Sequence, residues 1–280
     1  MKPPVWAVFV AMVIFCISIL SKHKGRFMQN IVKKIDKSFP NFDIKTDPDL
    51  TNPELYNAIV KLWDKGPLAG IRTDGCELVY VDAETGARYR FGSDCIINLY
   101  TDYDEKGHGP DKLQNSIRQI KQQSEMVANY DKYYPIGASI IFPRGCEKWW
   151  ETINITRGWR WIIGDRIDLT LECIRLYYDK KESPLSDIFE DKINKWFLDL
   201  FGSFPAYIDF FMLNDLIGDD GKINFFLPFN GFQKTESGWV LKCGKEQRPH
   251  AYPTSEQEWW TLFDAEISFM NARSARIYEV

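Results

Sequence analysis

Residues 165–178 read DRIDLTLECIRLYY, and their spacing puts Ile167, Leu171, Ile174 and Tyr178 on one face of an α-helix. A second set, Asp165, Asp168, Glu172 and Arg175, follows at i, i+3, i+7 and i+10 and forms a continuous charged stripe. The stripe lies about 100° from the apolar face, so part of it meets the edge of the core. Charges held there need partners.

Strands and further helices lie on both sides of this helix. Upstream, Asn52 caps a helix that starts at Pro53, runs to Lys65 and stops at Gly66, with Leu55, Ile59, Leu62 and Trp63 as its apolar face. Glu77–Asp82 and Ala87–Phe91 flank Ala83-Glu84-Thr85-Gly86 and predict a β-hairpin. Tyr103–Pro110 reads as a charged loop, Pro110 to about Tyr130 as a polar helix, and Ile136–Phe142 as a buried strand closed by Pro143. Downstream, Ser183-Pro184 opens a helix that continues through Trp196, Phe197, Leu200 and Phe201 to Gly202. Phe204–Ile217 predicts a very apolar helix ending at Gly218, and Lys222–Phe229 a strand. Thr254 and Ser255, with Gln257 and Glu258 three positions on, form overlapping capping boxes for a last helix to about Arg276. This irregular interleaving predicts an α+β fold: one globular domain with a small mixed or antiparallel sheet and several helices, preceded by an N-terminal hydrophobic helix.

The composition agrees. Of 280 residues, 45% are hydrophobic, 15% aromatic and 26% charged, which supplies a sizeable core and excludes a disordered chain. The net charge of −4 carries no general attraction to nucleic acid and leaves room for a local basic patch. The six cysteines (16, 76, 95, 146, 173, 243) are scattered and the three histidines (23, 108, 250) lack metal-ligand spacing, so reduced, apolar thiols and no metal site are expected.

The first forty residues read differently. Val5–Leu20 is an uncharged apolar run interrupted by one hydroxyl, that of Ser18, and its length lies between a signal-peptide core and a spanning helix. The exit Ile17-Ser18-Ile19-Leu20-Ser21-Lys22 lacks a small-x-small cleavage site, which favours an uncleaved anchor over residues 1–22, in the membrane through residues 5–21. Lys22, Lys24, Arg26, Lys33, Lys34 and Lys37 follow the run, whereas only Lys2 and the α-amine precede it. The positive-inside rule therefore predicts a single-pass membrane protein with its C-terminal domain in the cytoplasm. Within 23–41, Phe27, Ile31, Ile35 and Phe39 recur at helical spacing among the lysines. This stretch is either a basic amphipathic helix lying on an anionic leaflet or a linker helix packed on the domain, which then occupies 42–280.

The chain has no P-loop, His-Glu-x-x-His, Gly-x-Ser-x-Gly or Rossmann glycine pattern. The candidate site is the charged stripe together with Asn154-Ile155-Thr156-Arg157-Gly158. On one reading Asp168 or Glu172 acts as acid, base or metal ligand, while Arg157, Arg166, Arg175 and Asn154 hold an anionic, phosphate-bearing small molecule or nucleotide. On the other the same residues form a structural ion-pair network. Gly92-Ser93-Asp94 reads as an exposed turn in which Ser93 or Asp94 caps a helix, and Asp215, unfavourably near a helix C-terminus, calls for a specific partner.

DRIDLTLECIR (165–175) resembles a motif of a mostly bacterial family of unknown function. Phe42-Asp43, Asp47-Pro48-Asp49, Leu62-Trp63, Pro67-Leu68, Gly92-Ser93-Asp94, Ile136-Gly137-Ala138, Ile141-Phe142-Pro143, Ser183-Pro184-Leu185, Tyr207–Phe211, Phe225–Phe229 and Asn271-Ala272-Arg273 fit as well. The resemblance covers about 42–280 and implies domain limits but no activity and no cofactor. Glu246–Thr254 reads as a local elaboration on that pattern. Two function classes follow: an enzyme or receptor for an anionic ligand, and a non-catalytic scaffolding or interaction domain.

Overall fold

The computed structural model describes residues 42, 52–75, 77–96, 111–123, 134–144 and 152–279, all within one compact unit, Lys37–Val280. The predicted anchor (1–22), the basic linker (23–41), the 103–110 loop and the end of the polar helix past 123 lie outside the described residues. Among the described residues no helix is long and apolar enough to cross a membrane.

The described chain is α+β, with eight α-helices and two small sheets. Helix α1 (Pro53–Trp63) starts as its sequence asks: Asn52 Oδ1 accepts from Leu55 N at 3.0 Å, and proline occupies the first turn. Its buried face is Leu55, Tyr56, Ile59 and Trp63. Strands β1 (Ile71–Asp74), β2 (Glu77–Val81), β3 (Arg88–Cys95) and β4 (Ser139–Arg144) form an antiparallel sheet in chain order. The predicted hairpin is β2–β3; Asp82 Oδ1 accepts from Thr85 N at 2.7 Å, and Gly86 takes the left-handed φ of 67° that the turn needs. Ile136–Ala138 is a 3-10 turn rather than strand, and Pro143 lies inside β4, opposite Phe91. Proline is tolerated there because β4 is an edge strand.

Helix α2 (Asp111–Gln123) is followed, after β4, by α3 (Ile153–Trp159), capped by Thr152, and α4 (Ile167–Tyr178). The helix expected from Ser183-Pro184 is two short ones, α5 (Ser186–Phe189) and α6 (Lys192–Asp199). Asp191 restarts the chain by accepting from Ile193 N at 3.0 Å, and Asn194 Nδ2 donates to the Ile188 carbonyl at the end of α5 at 2.9 Å. Phe197 on α6 sits at the centre of the core, edge-on to Phe91, Phe142, Phe201 and Tyr207. Each fully buried ring of this kind contributes about 1.5–3 kcal/mol by leaving water.

The expected helix 204–217 ends early. Helix α7 spans Phe204–Phe210, and Met212 turns left-handed at φ 55°, with Leu213 N donating to Ile208 O at 2.9 Å. Residues 222–229 form no ladder beyond an isolated bridge, Ile217 to Ile223. Their amides go elsewhere: Asn224 N to Leu216 O at 2.8 Å and Phe226 N to the Asp168 carboxylate at 2.8 Å. The second sheet, β5 (Gly231–Thr235), β6 (Gly238–Cys243) and β7 (Glu246–Arg248), was not expected; both sheets are antiparallel. It absorbs the start of the stretch read as a local elaboration.

Helix α8 (Glu256–Tyr278) starts on the predicted capping box: Ser255 Oγ accepts from Glu258 N at 3.2 Å and Glu258 Oε2 from Thr254 N at 2.8 Å. It packs on the 136–138 turn so closely that a Cβ on Gly137 would stand 2.5 Å from Met270 O and 2.7 Å from Ser274 N. Only glycine permits that approach. Asp215 has its partner: Arg276 pairs with both of its oxygens, at 2.8 and 3.2 Å.

Candidate functional site

The 165–178 helix begins two residues later than expected, because Arg157 takes Asp165 out of it. Asp165 has a left-handed φ of 63°; its N–H donates to Arg157 O at 3.0 Å, and its own carbonyl accepts from Arg157 Nη2 at 2.5 Å. Its carboxylate pairs with Arg157 Nη1 at 2.6 Å. The stripe therefore lacks its first member, and α4 carries Asp168, Glu172 and Arg175.

Arg157 is fully buried between two carboxylates. Nη1 also donates to Asp94, 63 positions earlier on β3, and Nε donates to Thr170 Oγ1 at 3.1 Å. With its amide nitrogen turned toward the carboxylate, Asn154 donates to both Asp94 oxygens at 3.0 Å. Asp94 is thus a buried strand residue closing an ion pair, and neither Ser93 nor Asp94 caps a helix or sits in an exposed turn. Burial alone would lower the Arg157 pKa, but the charges of Asp165 and Asp94 outweigh it and raise it above the usual arginine range.

Arg166 and Asp168 form a second unit. The guanidinium grips the carboxylate at both ends, Nε to Oδ1 at 3.1 Å and Nη2 to Oδ2 at 2.5 Å, while Nη1 donates to Ala251 O at 3.3 Å. Asp168 is fully buried and also accepts from Leu169 N and Phe226 N, which ties α4 to the segment behind it. The third unit is more open. Arg175 Nε and Nη2 reach the two oxygens of Glu172, both at 2.8 Å, and Nη1 reaches Asp179 at 2.8 Å, with the Arg175 side chain 31% exposed.

The sequence thus named Asn154, Arg157, Arg166, Asp168, Glu172 and Arg175, and the structure divides them among three units. It missed Asp94 and Thr170 as partners, and Arg273 stood only in the family pattern, with no role assigned. Arginine and aspartate alternating along 88–94 was the one available signal for Asp94, since it places Arg88, Arg90 and Asp94 on one face of β3. Each nitrogen of Arg157, Arg166 and Arg175 has an acceptor inside the domain. The recess beside Arg166, lined also by Phe229, Cys243, Arg248 and His250, encloses about 10 Å³, room for about one water. That is below the roughly 300–1,000 Å³ of small-molecule sites. Arg248 there is taken by Glu246 and Glu258, and burial, with the Arg248 charge, lowers the His250 pKa. Among the described residues no group of His, Cys, Asp and Glu could hold a metal ion, and Cys95, Cys173 and Cys243 are not in disulfides.

The two inner pairs and the outer one should respond differently to substitution. Asp168→Asn leaves Arg166 buried without its counter-charge and should cost about 3 kcal/mol or more. Glu172→Gln loosens an i,i+3 pair whose carboxylate is buried but whose Arg175 side chain is 31% exposed, and it should cost less, about 1 kcal/mol. Melting curves of the two variants check this; equal losses would contradict the division into inner and outer pairs.

The fold and the network define an α+β domain built around internal arginine–carboxylate pairs. A family model described as a family of unknown function, DUF6994, matches residues 34–277, and the chain belongs to that family. No curated protein and no solved structure matches it.

Proposed function

We propose that the chain is a non-catalytic interaction domain, held at a membrane by residues 1–22 and facing the cytoplasm, in which the charged helix is structural. The observation that carries this reading is the saturation of Arg157, Arg166 and Arg175 by acceptors of the same domain. At Arg157 and Arg166 an anionic ligand would have to displace a buried carboxylate from its guanidinium, and each uncompensated buried charge costs several kcal/mol. The exposed Trp159 and Trp161 (70% and 55%), on the chain that Arg157 braces, fit a surface made for contact. The apolar run at 5–20 and the lysines after it support the tether and its orientation.

A ligand titration of the full chain separates this reading from an anion-binding pocket. Inorganic phosphate and ATP at millimolar concentration should leave the melting temperature unchanged. A ligand at 100 times its Kd would add about 2.7 kcal/mol. A saturable rise that Arg166→Lys abolishes would establish the pocket instead.

A further inference from the structure

The register of the four-stranded sheet aligns Arg72, Val79, Arg90 and Arg144 as direct cross-strand neighbours, one from each strand. Paired residues of an antiparallel ladder project from the same face, so three arginines stand in one row across the sheet. Arg72, Arg88, Arg90 and Arg144 are all exposed. Asp74 and Glu77 pair with Arg88, and Glu77 with Arg90, at 2.9–3.2 Å. Arg72 and Arg144 have no carboxylate partner among the described residues, so this end of the sheet is positive in a chain of net charge −4.

Two details show more than an incidental surface. Arg90 and Arg144 are direct neighbours; Glu77 offsets the charge of Arg90, and no carboxylate among the described residues offsets that of Arg144. The stem of Arg144 is held in place by a glycine: a Cβ on Gly92 would come within 3.0 Å of Arg144 Cδ and 3.2 Å of Cγ. The stem therefore crosses the strand where no side chain stands in its way.

We infer that this arginine row docks the domain on an anionic phospholipid surface, the headgroup layer of the membrane into which residues 1–22 are proposed to insert. The occupant follows from charge complementarity: exposed arginines on three strands, two of them with no carboxylate partner among the described residues, suit a layer of phosphates, and the lysines of residues 22–37 precede them in the chain. The inference builds on the tether described above.

The test uses the full chain with vesicles of phosphatidylcholine alone or mixed with phosphatidylserine. Flotation reports attachment, and phenylglyoxal modification of Arg72, Arg90 and Arg144, read by mass spectrometry against the exposed Arg118, reports docking. Each arginine at an anionic surface is worth about a fivefold gain in binding. On phosphatidylserine vesicles at low salt the three arginines should react about tenfold more slowly, with the difference lost at roughly 1 M salt, where the Debye length falls to about 3 Å. The exposed double variant Arg72→Gln/Arg144→Gln should lose about 25-fold in docking and leave Arg90 reactive. Flotation on both vesicles with no protection overturns the docking and leaves the tether standing. Flotation and protection on anionic vesicles alone supports the docking and overturns the tether. No flotation on either overturns both. Protection by an RNA oligonucleotide or a phosphopeptide but not by vesicles overturns the choice of lipid.

Discussion

Arg157→Met is expected to lower the melting temperature of the protein by roughly 6–20 °C, which corresponds to about 3–5 kcal/mol for a domain of this size. The size of the effect follows from what remains behind. Asp94 is buried in a strand and Asp165 is held beside it, so removing the guanidinium leaves two carboxylates facing each other without a cation. Arg157 also binds the backbone of Asp165, and its loss frees the left-handed turn that starts α4. Arg157→Lys retains the charge but a single ammonium cannot reach Thr170, Asp94 and Asp165 in three directions, so most of the loss should persist. Arg157→Met combined with Asp94→Leu should recover part of it, because an apolar pair replaces a broken ionic one. A shift of a degree or two for Arg157→Met would mean that water reaches the cluster and that the pair contributes little.

Arg273→Met should have an effect of similar size by a different route. Arg273 is fully buried on α8 and lies over the Trp63 ring at 5.9 Å, with no ion pair among the described residues. Its acceptors are carbonyls: Phe211 O at 3.1 and 3.0 Å, Gly137 O at 2.9 Å and Ser139 O at 2.6 Å. Burial pushes its pKa down to about 10, still far enough above neutrality to keep the charge. A buried carboxylate can be mutated along with its partner, whereas these carbonyls belong to the backbone and remain in place. Each left unsatisfied costs about 1–3 kcal/mol, so with three of them a loss of about 3 kcal/mol or more is expected. Urea unfolding of Arg273→Met and Arg273→Lys measures it. A midpoint unchanged in either variant would show that the carbonyls find other donors.

Arg273 also explains why the sequence misled at residues 204–217. Nothing between Phe204 and Ile217 breaks a helix, and the apolar pattern continues without a glycine. The chain nevertheless turns at Met212, and the Phe211 carbonyl released there accepts from an arginine 62 positions away. A different distant partner acts at the strand expected at 222–229, where Asp168 claims the amide of Phe226. The three-stranded sheet was missed for a weaker reason: its strands are half-exposed and short, so their apolar alternation is faint and only the turn glycines Gly238 and Gly244 mark it.

What the sequence determined by itself was local. Caps at Asn52, Ser255 and Glu258, the Gly86 turn, and the periodicities of α1, α4 and the β2–β3 hairpin act within a few residues, so the chain writes them directly. It also supplied the family resemblance and most of the charged residues of the network. Tertiary structure decided how those charges pair. Arg157 meets Asp94 across 63 residues, Arg166 meets the carbonyl of Ala251 across 85, and Arg72, Arg90 and Arg144 meet only through strand register. A buried charge takes the best partner within about 4 Å, wherever the fold brings one. No periodicity in the chain encodes that choice, because sequence spacing fixes only neighbours on the same element.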